Sequence, residues 1–198
     1  MTASYRYPYT MVDGHLVLEC EGRRLLLDTG APVSVGRERV LHFAGAAHPA
    51  VDTFSGTGLD EIAAFVGAGL DGILGTDVLA AYDLVIDPAR GELRAFASDH
   101  DLAGSDIPLD CSGAAPTLGV EVAGRRLTMI FDTGAKLSYL DRRRLDGSPP
   151  AGVREDFYPG LGSFTVETFE TPVTIGAFTA TILVGALPDL PVIGHDPC

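Results

Sequence analysis

Two stretches of the chain carry the same chemistry-bearing residues. Leu27-Asp28-Thr29-Gly30-Ala31 runs on to Ser34, and Phe131-Asp132-Thr133-Gly134-Ala135 runs on to Ser138. Each follows Gly-Arg-Arg-Leu (22–25 and 124–127) and an apolar run. A second element also recurs, Gly72-Ile-Leu-Gly-Thr-Asp77 after the first and Val192-Ile-Gly-His-Asp196 after the second. One Asp-Thr-Gly is an ordinary turn. Two copies with matching flanks and matching downstream partners form an internal repeat.

An aspartate at the end of an apolar strand, in a glycine turn, stands on a rigid base. The glycine permits close approach and leaves backbone N–H groups free to bond the carboxylate. The adjacent threonine hydroxyl can tie the turn to a neighbour. Duplicated turns imply a pseudo-two-fold axis that brings Asp28 and Asp132 together. Two carboxylates a few ångströms apart cannot both ionise cheaply, so they share a proton. One can then act as base on a water and the other as acid toward a carbonyl.

Apolar-Asp-Thr-Gly-Ala-x-x-Ser followed by Ile-Leu-Gly-x-Asp resembles the aspartic peptidases, and Asp-Thr-Gly-Ala especially the retropepsins. Retropepsins are homodimers of subunits about half this length, whereas pepsin-like enzymes carry two lobes in one chain. The resemblance covers nearly the whole sequence and implies two fused retropepsin-sized lobes. It implies Asp28 and Asp132 as the catalytic pair. Thr29 and Thr133 would interlock beneath it, and Gly30 and Gly134 would complete the turns. Gly72–Asp77 and 192–196 would pack behind the aspartates, leaving Asp77 and Asp196 as supports rather than catalysts. The family also covers its substrate with a β-hairpin flap. The interval from Asp-Thr-Gly to the downstream element is longer in the second copy, and Gly-rich 157–166 lies within it. One flap is therefore expected, in the C-terminal lobe, with Tyr158, Gly160, Leu161 and Gly162 at the substrate. The first lobe has room only for a shorter connection through 53–58.

The elements that must position these residues read as β-rich. Strands are expected at 15–19 and 24–27 around Gly22, and at 118–122 and 127–131 around Gly124. Further strands are expected at 84–86, 92–96, 164–169, 173–175 and 179–184, with a short helix at 77–82. The fold class is all-β, with duplicated acid-protease barrel lobes and one or two short helices. The polar stretch 99–106 reads as a linker between lobes 1–98 and 107–198. The second lobe stops soon after Asp196, so the strands joining the lobes should be fewer or built differently.

Composition narrows the class further. The chain has 198 residues, 46% apolar and 21% charged, with 24 glycines and 13 prolines, which suits a turn-rich globular protein. A net charge of −13 argues against nucleic acid. There is neither an apolar run long enough to cross a membrane nor a signal-peptide core at the start, so a cytoplasmic protein is expected. The three cysteines make no disulfide framework. No metal or cofactor is called for. The expected partner is a peptide or protein substrate, and a monomer suffices, with a dimer left open by the short second lobe.

Competing motifs are weak. Gly67-Ala-Gly-Leu-Asp-Gly72 matches a dinucleotide fingerprint, with 62–66 as its strand, but no βαβ alternation surrounds it. The acidic spacing from Asp99 to Asp110 only half-matches a calcium loop. Two functions remain: an aspartic endopeptidase, or a catalytically inactive peptide-binding or structural protein of the same fold.

Overall fold

The computed structural model describes residues 4–97 and 104–187. The first half opens with β1 (Ser4–Val12), β2 (His15–Cys20) and β3 (Arg23–Leu27), a meander joined by two-residue turns. Asp13-Gly14 (φ 46° and 87°) and Glu21-Gly22 (φ 51° and 77°) both take positive φ. Such turns match the natural twist of a hairpin, and glycine fills the second place without strain. After the first Asp-Thr-Gly come β4 (Val35–Gly36) and two small hairpins. These are β5 (Val40–Phe43) with β6 (Ala46–Pro49), and β7 (Thr53–Phe54) with β8 (Thr57–Gly58). Helix α1 (Leu59–Val66), β9 (Gly72–Leu74), helix α2 (Thr76–Leu79), β10 (Asp83–Asp87) and β11 (Glu92–Phe96) follow.

These strands form one sheet in the order β10-β11-β1-β2-β3-β9-β4, antiparallel except where β3 runs parallel to β9. Both faces of its centre are covered. Leu18, Leu25 and Leu27 point to a cluster with Phe43, Leu74 and Leu93. Val17, Leu26 and Ile73 point the other way, onto Leu59, Ile62 and Val66 of α1. Two buried faces explain why Leu25-Leu26-Leu27 is a continuous apolar run rather than an alternating one.

The second half contains β12 (Leu109–Asp110), β13 (Thr117–Val122), β14 (Arg125–Ile130) and β15 (Ser138–Asp141). A 3-10 turn (Arg142–Leu145) then leads to β16 (Pro150–Tyr158), β17 (Gly162–Ile175) and β18 (Phe178–Leu187). The sheet order is β12-β13-β17-β18-β15, with β14 on β13 and β16 on β17. The β13–β14 turn, Ala123-Gly124, repeats the positive-φ pair of the β2–β3 turn. Here, however, β13 strictly alternates, with Leu118, Val120 and Val122 buried and the residues between them exposed. One face of this sheet carries the core and the other meets water.

The all-β expectation holds, with two short helices. Neither sheet closes on itself among the described residues; both are open where barrels were expected. No described strand of one sheet pairs with a strand of the other, so the halves meet through turns and side chains. The expected 164–169 and 173–175 strands are one continuous β17. Pro172 falls between the last residue paired with β16, Phe169, and the first paired with β13, Val173, where one edge has no ladder to break. The stretch 62–66, read as a strand in the dinucleotide motif, is the end of α1. Buried Leu59, Ile62, Ala63 and Val66 repeat at helical spacing, and Gly67 (φ 72°) caps the helix with its N–H on Ala63 O. Most of the expected linker, 99–103, lies outside the described residues. No helix among those described is long and apolar enough to cross a membrane.

Candidate active site

The site grows from the end of β3. The Asp28 N–H donates to Leu74 O at 3.0 Å, carrying the β3–β9 pairing one residue into the turn. The turn then folds back on its own carboxylate. Asp28 Oδ1 accepts the Gly30 and Ala31 N–H groups, both at 2.9 Å. The second turn repeats this, with Asp132 Oδ1 accepting from Gly134 at 2.8 Å and Ala135 at 3.2 Å.

The two turns are stitched together by their threonines. Thr29 Oγ1 donates to Phe131 O at 2.6 Å and accepts the Thr133 N–H at 3.0 Å. Thr133 Oγ1 donates to Leu27 O at 2.8 Å and accepts the Thr29 N–H at 3.1 Å. Four backbone groups that end a strand and begin a turn are thereby satisfied by two hydroxyls. Thr133→Val leaves the Thr29 N–H and the Leu27 carbonyl without these partners. It should lower stability by about 2 kcal/mol in urea unfolding, while Thr133→Ser stays within about 1 kcal/mol of wild type.

Each aspartate lies over the other turn's glycine. A Cβ on Gly30 would collide with the Asp132 carboxyl, and one on Gly134 with the Asp28 carboxyl. The Asp28 carboxyl is pushed up to about 7, first by burial and then by the Asp132 charge; the Gly30 and Ala31 N–H groups oppose the rise without cancelling it. The two carboxyls therefore hold a proton near neutral pH, with Asp28 half-buried and Asp132 exposed.

Behind the first turn, Ser34 is fully buried and doubly used. Its hydroxyl donates to Asp77 Oδ1 at 2.7 Å and accepts the Gly75 N–H at 3.0 Å. The Thr76 N–H donates to Ala31 O at 2.8 Å. A Cβ on Gly75 would stand 2.7 Å from Val33 O and 2.8 Å from Ala31 O, so only glycine fits. Asp77 thus braces the turn from behind. Ser34→Ala should lower Tm by about 3–6 °C in a thermal melt, from the loss of about 1–2 kcal/mol. The corresponding 192–196 element, with Asp196, lies outside the described residues.

The residues expected to form the flap lie in the hairpin of β16 and β17. Its turn places Gly160 (φ 83°) and Gly162 (φ 86°) in the left-handed region, with the Leu161 N–H on Tyr158 O at 3.0 Å. The Tyr158 hydroxyl is shifted up by burial and then by the charges of Asp132 and Asp28. Of the other expected flap residues, Gly160 faces Thr57, Gly162 begins β17, and Leu161 is 55% exposed at the tip. The shorter first-half connection at 53–58 is the β7–β8 hairpin, and it receives the flap tip.

Sequence reasoning passed over several neighbours. Lys136, the chain's one lysine, follows the second turn. Its ammonium pairs with Asp13 at 3.0 Å and lies 4.7 Å from the centre of the Phe65 ring. Phe65 of α1 stacks on Phe157 of the flap at 4.9 Å. Buried Asp156 accepts the Tyr139 hydroxyl, tying β16 to β15. A solitary lysine beside an active-site turn was a signal available in the sequence; the aromatic pair was not, because its members belong to different halves. No protein-family model matches this chain, and no curated protein matches it.

Proposed function

We propose that the chain is an aspartic endopeptidase made of two retropepsin-like lobes, 1–98 and 107–198, joined by 99–106, with a single flap from the C-terminal lobe. The observation that carries this reading is the mutual seating of the two aspartates, each over the other's glycine above interlocked threonines. One chain supplies both acids, so a monomer is sufficient.

In this reading a peptide lies extended between the Tyr158 side of the flap and the dyad. Asp132, the more exposed carboxylate, takes a proton from a water held between the acids. Asp28, which keeps its proton near neutrality, gives it to the scissile carbonyl oxygen. The water oxygen bonds to the carbonyl carbon, and a tetrahedral diol results. Asp132 then gives its proton to the amide nitrogen while Asp28 takes one back from a diol hydroxyl; the C–N bond breaks, a carboxylic acid and an amine leave, and the shared proton is restored. Apart from the dyad, the lobes need only hold substrate and exclude bulk water.

The second reading, a peptide-binding module without activity, draws on the exposure of Asp132 beside a half-buried Asp28. The two part on one assay. An unfolded protein substrate is incubated with the chain from pH 3 to pH 8, alongside Asp28→Asn and Asp132→Asn. Cleavage lost in both variants supports the peptidase. Cleavage retained in either removes the dyad mechanism, and a folded chain inactive at every pH leaves the binding module.

A further inference from the structure

The flap arises from one lobe and is fastened to the other. At its tip the Gly160 N–H donates to Thr57 Oγ1 at 2.8 Å, and Thr57 is 4% exposed in the β7–β8 hairpin. Ser55 O lies under the same glycine, 3.0 Å from where its Cβ would stand. One residue before Tyr158, the Phe157 ring stacks on Phe65 of α1 with an interplanar angle of 26°. Phe65 is held from its other neighbours by the edge of the buried His15 ring and by the Lys136 ammonium, itself paired with Asp13. On its own lobe, the flap strand is tied at Asp156 to Tyr139. The hairpin is thus tethered on one side at Asp156 and fastened on the other at Thr57 and Phe65, with Tyr158 between the anchored Phe157 and Gly160 in sequence.

We propose that Thr57 and Phe65 are positioning residues, a two-point latch by which the first lobe holds the other lobe's flap, and with it Tyr158, over the paired aspartates. Neither touches the reacting atoms. A neutral hydrogen bond and an aromatic stack each shift a local opening equilibrium by about 2- to 12-fold. Two such contacts keep the flap mostly closed yet openable, as substrate access requires. Only the catalytic consequence rests on the peptidase reading; the latch itself does not.

The test uses the full chain and four proteins: wild type, Thr57→Val, Thr57→Ser and Phe65→Leu. Amide hydrogen exchange is followed by mass spectrometry in a peptide spanning 157–162, with a β2–β3 peptide as internal control. Exchange at the flap tip should rise about fivefold in Thr57→Val and in Phe65→Leu, stay at wild-type rate in Thr57→Ser, and be unchanged in the control peptide. Unchanged flap exchange in Thr57→Val, or no recovery in Thr57→Ser, overturns the latch. With a fluorogenic peptide that wild type cleaves, KM should rise about fivefold in the two loosened variants while kcat falls less than threefold. Faster exchange with an unaltered KM overturns the positioning role. A wild type that cleaves nothing removes the peptidase reading alone, because the exchange result still decides the latch.

Discussion

Asp28→Asn should lower kcat/KM for peptide cleavage by at least about a thousandfold and yet give a protein more stable than wild type above pH 7. The two effects share one cause. The asparagine Oδ1 can still accept the Gly30 and Ala31 N–H groups, so the turn keeps its shape. What disappears is an ionisable group whose folded state holds a proton up to about pH 7, against 3.8 as the ordinary value. Well below pH 3.8 the carboxyl is protonated folded or unfolded and contributes nothing. Between pH 4 and 7 the unfolded chain ionises first, so wild type loses stability steadily as pH rises. Above pH 7 the loss is complete and constant. The variant should therefore match wild type at about pH 2.5 and exceed it at about pH 7.5 by about 2 kcal/mol, or roughly 4–8 °C in Tm. Calorimetry at the two pH values reads this directly. A variant equally stable at both would mean that Asp28 is not desolvated against Asp132. The same sign governs activity. On the peptidase reading, cleavage should fade as pH rises through about 7, when the proton leaves Asp28.

Gly134→Ala should be nearly as damaging, by contact rather than charge. The added methyl would occupy the position of the Asp28 carboxyl. That carboxyl cannot retreat freely, because two backbone N–H groups hold one oxygen and Leu74 O holds the Asp28 backbone. Either the dyad parts or the threonine stitch stretches. Overpacking of this kind costs about 1–3 kcal/mol. A displacement of about 1 Å between reacting groups costs about a hundredfold in rate. Gly119→Ala is the control: it lies on the exposed face of β13, and a Cβ there meets nothing within 4 Å. Its kcat/KM should equal that of wild type. Full activity in Gly134→Ala would mean that the two turns do not meet as described.

The dyad and its hairpins were readable because they are local. Gly22 and Gly124 mark turns whose conformation depends on two adjacent residues, and the observed strands around them lie within a residue or two of expectation. Helix α1 was missed because eight residues with β-branched and aromatic members give too few turns for a period to show. The barrel expectation came from family likeness and not from pattern; the strictly alternating β13 belongs to an open sheet with one wet face.

The sequence by itself determined that there are two aspartates, that each sits in the same glycine turn, and that the second half has a longer arm than the first. Repeats and turn chemistry are written in residue types at fixed short spacing, so no folding is needed to see them. Only the tertiary structure decided that the arm's tip binds Thr57, that Phe157 lies on Phe65, and that burial raises the Asp28 carboxyl. The Gly160–Thr57 bond spans 103 residues and uses a backbone N–H that every residue but proline possesses. Nothing in a side-chain pattern can announce such a contact. The two turns match in sequence, and they differ in the shape of the cores beneath them. Asp28 is half-buried and Asp132 exposed.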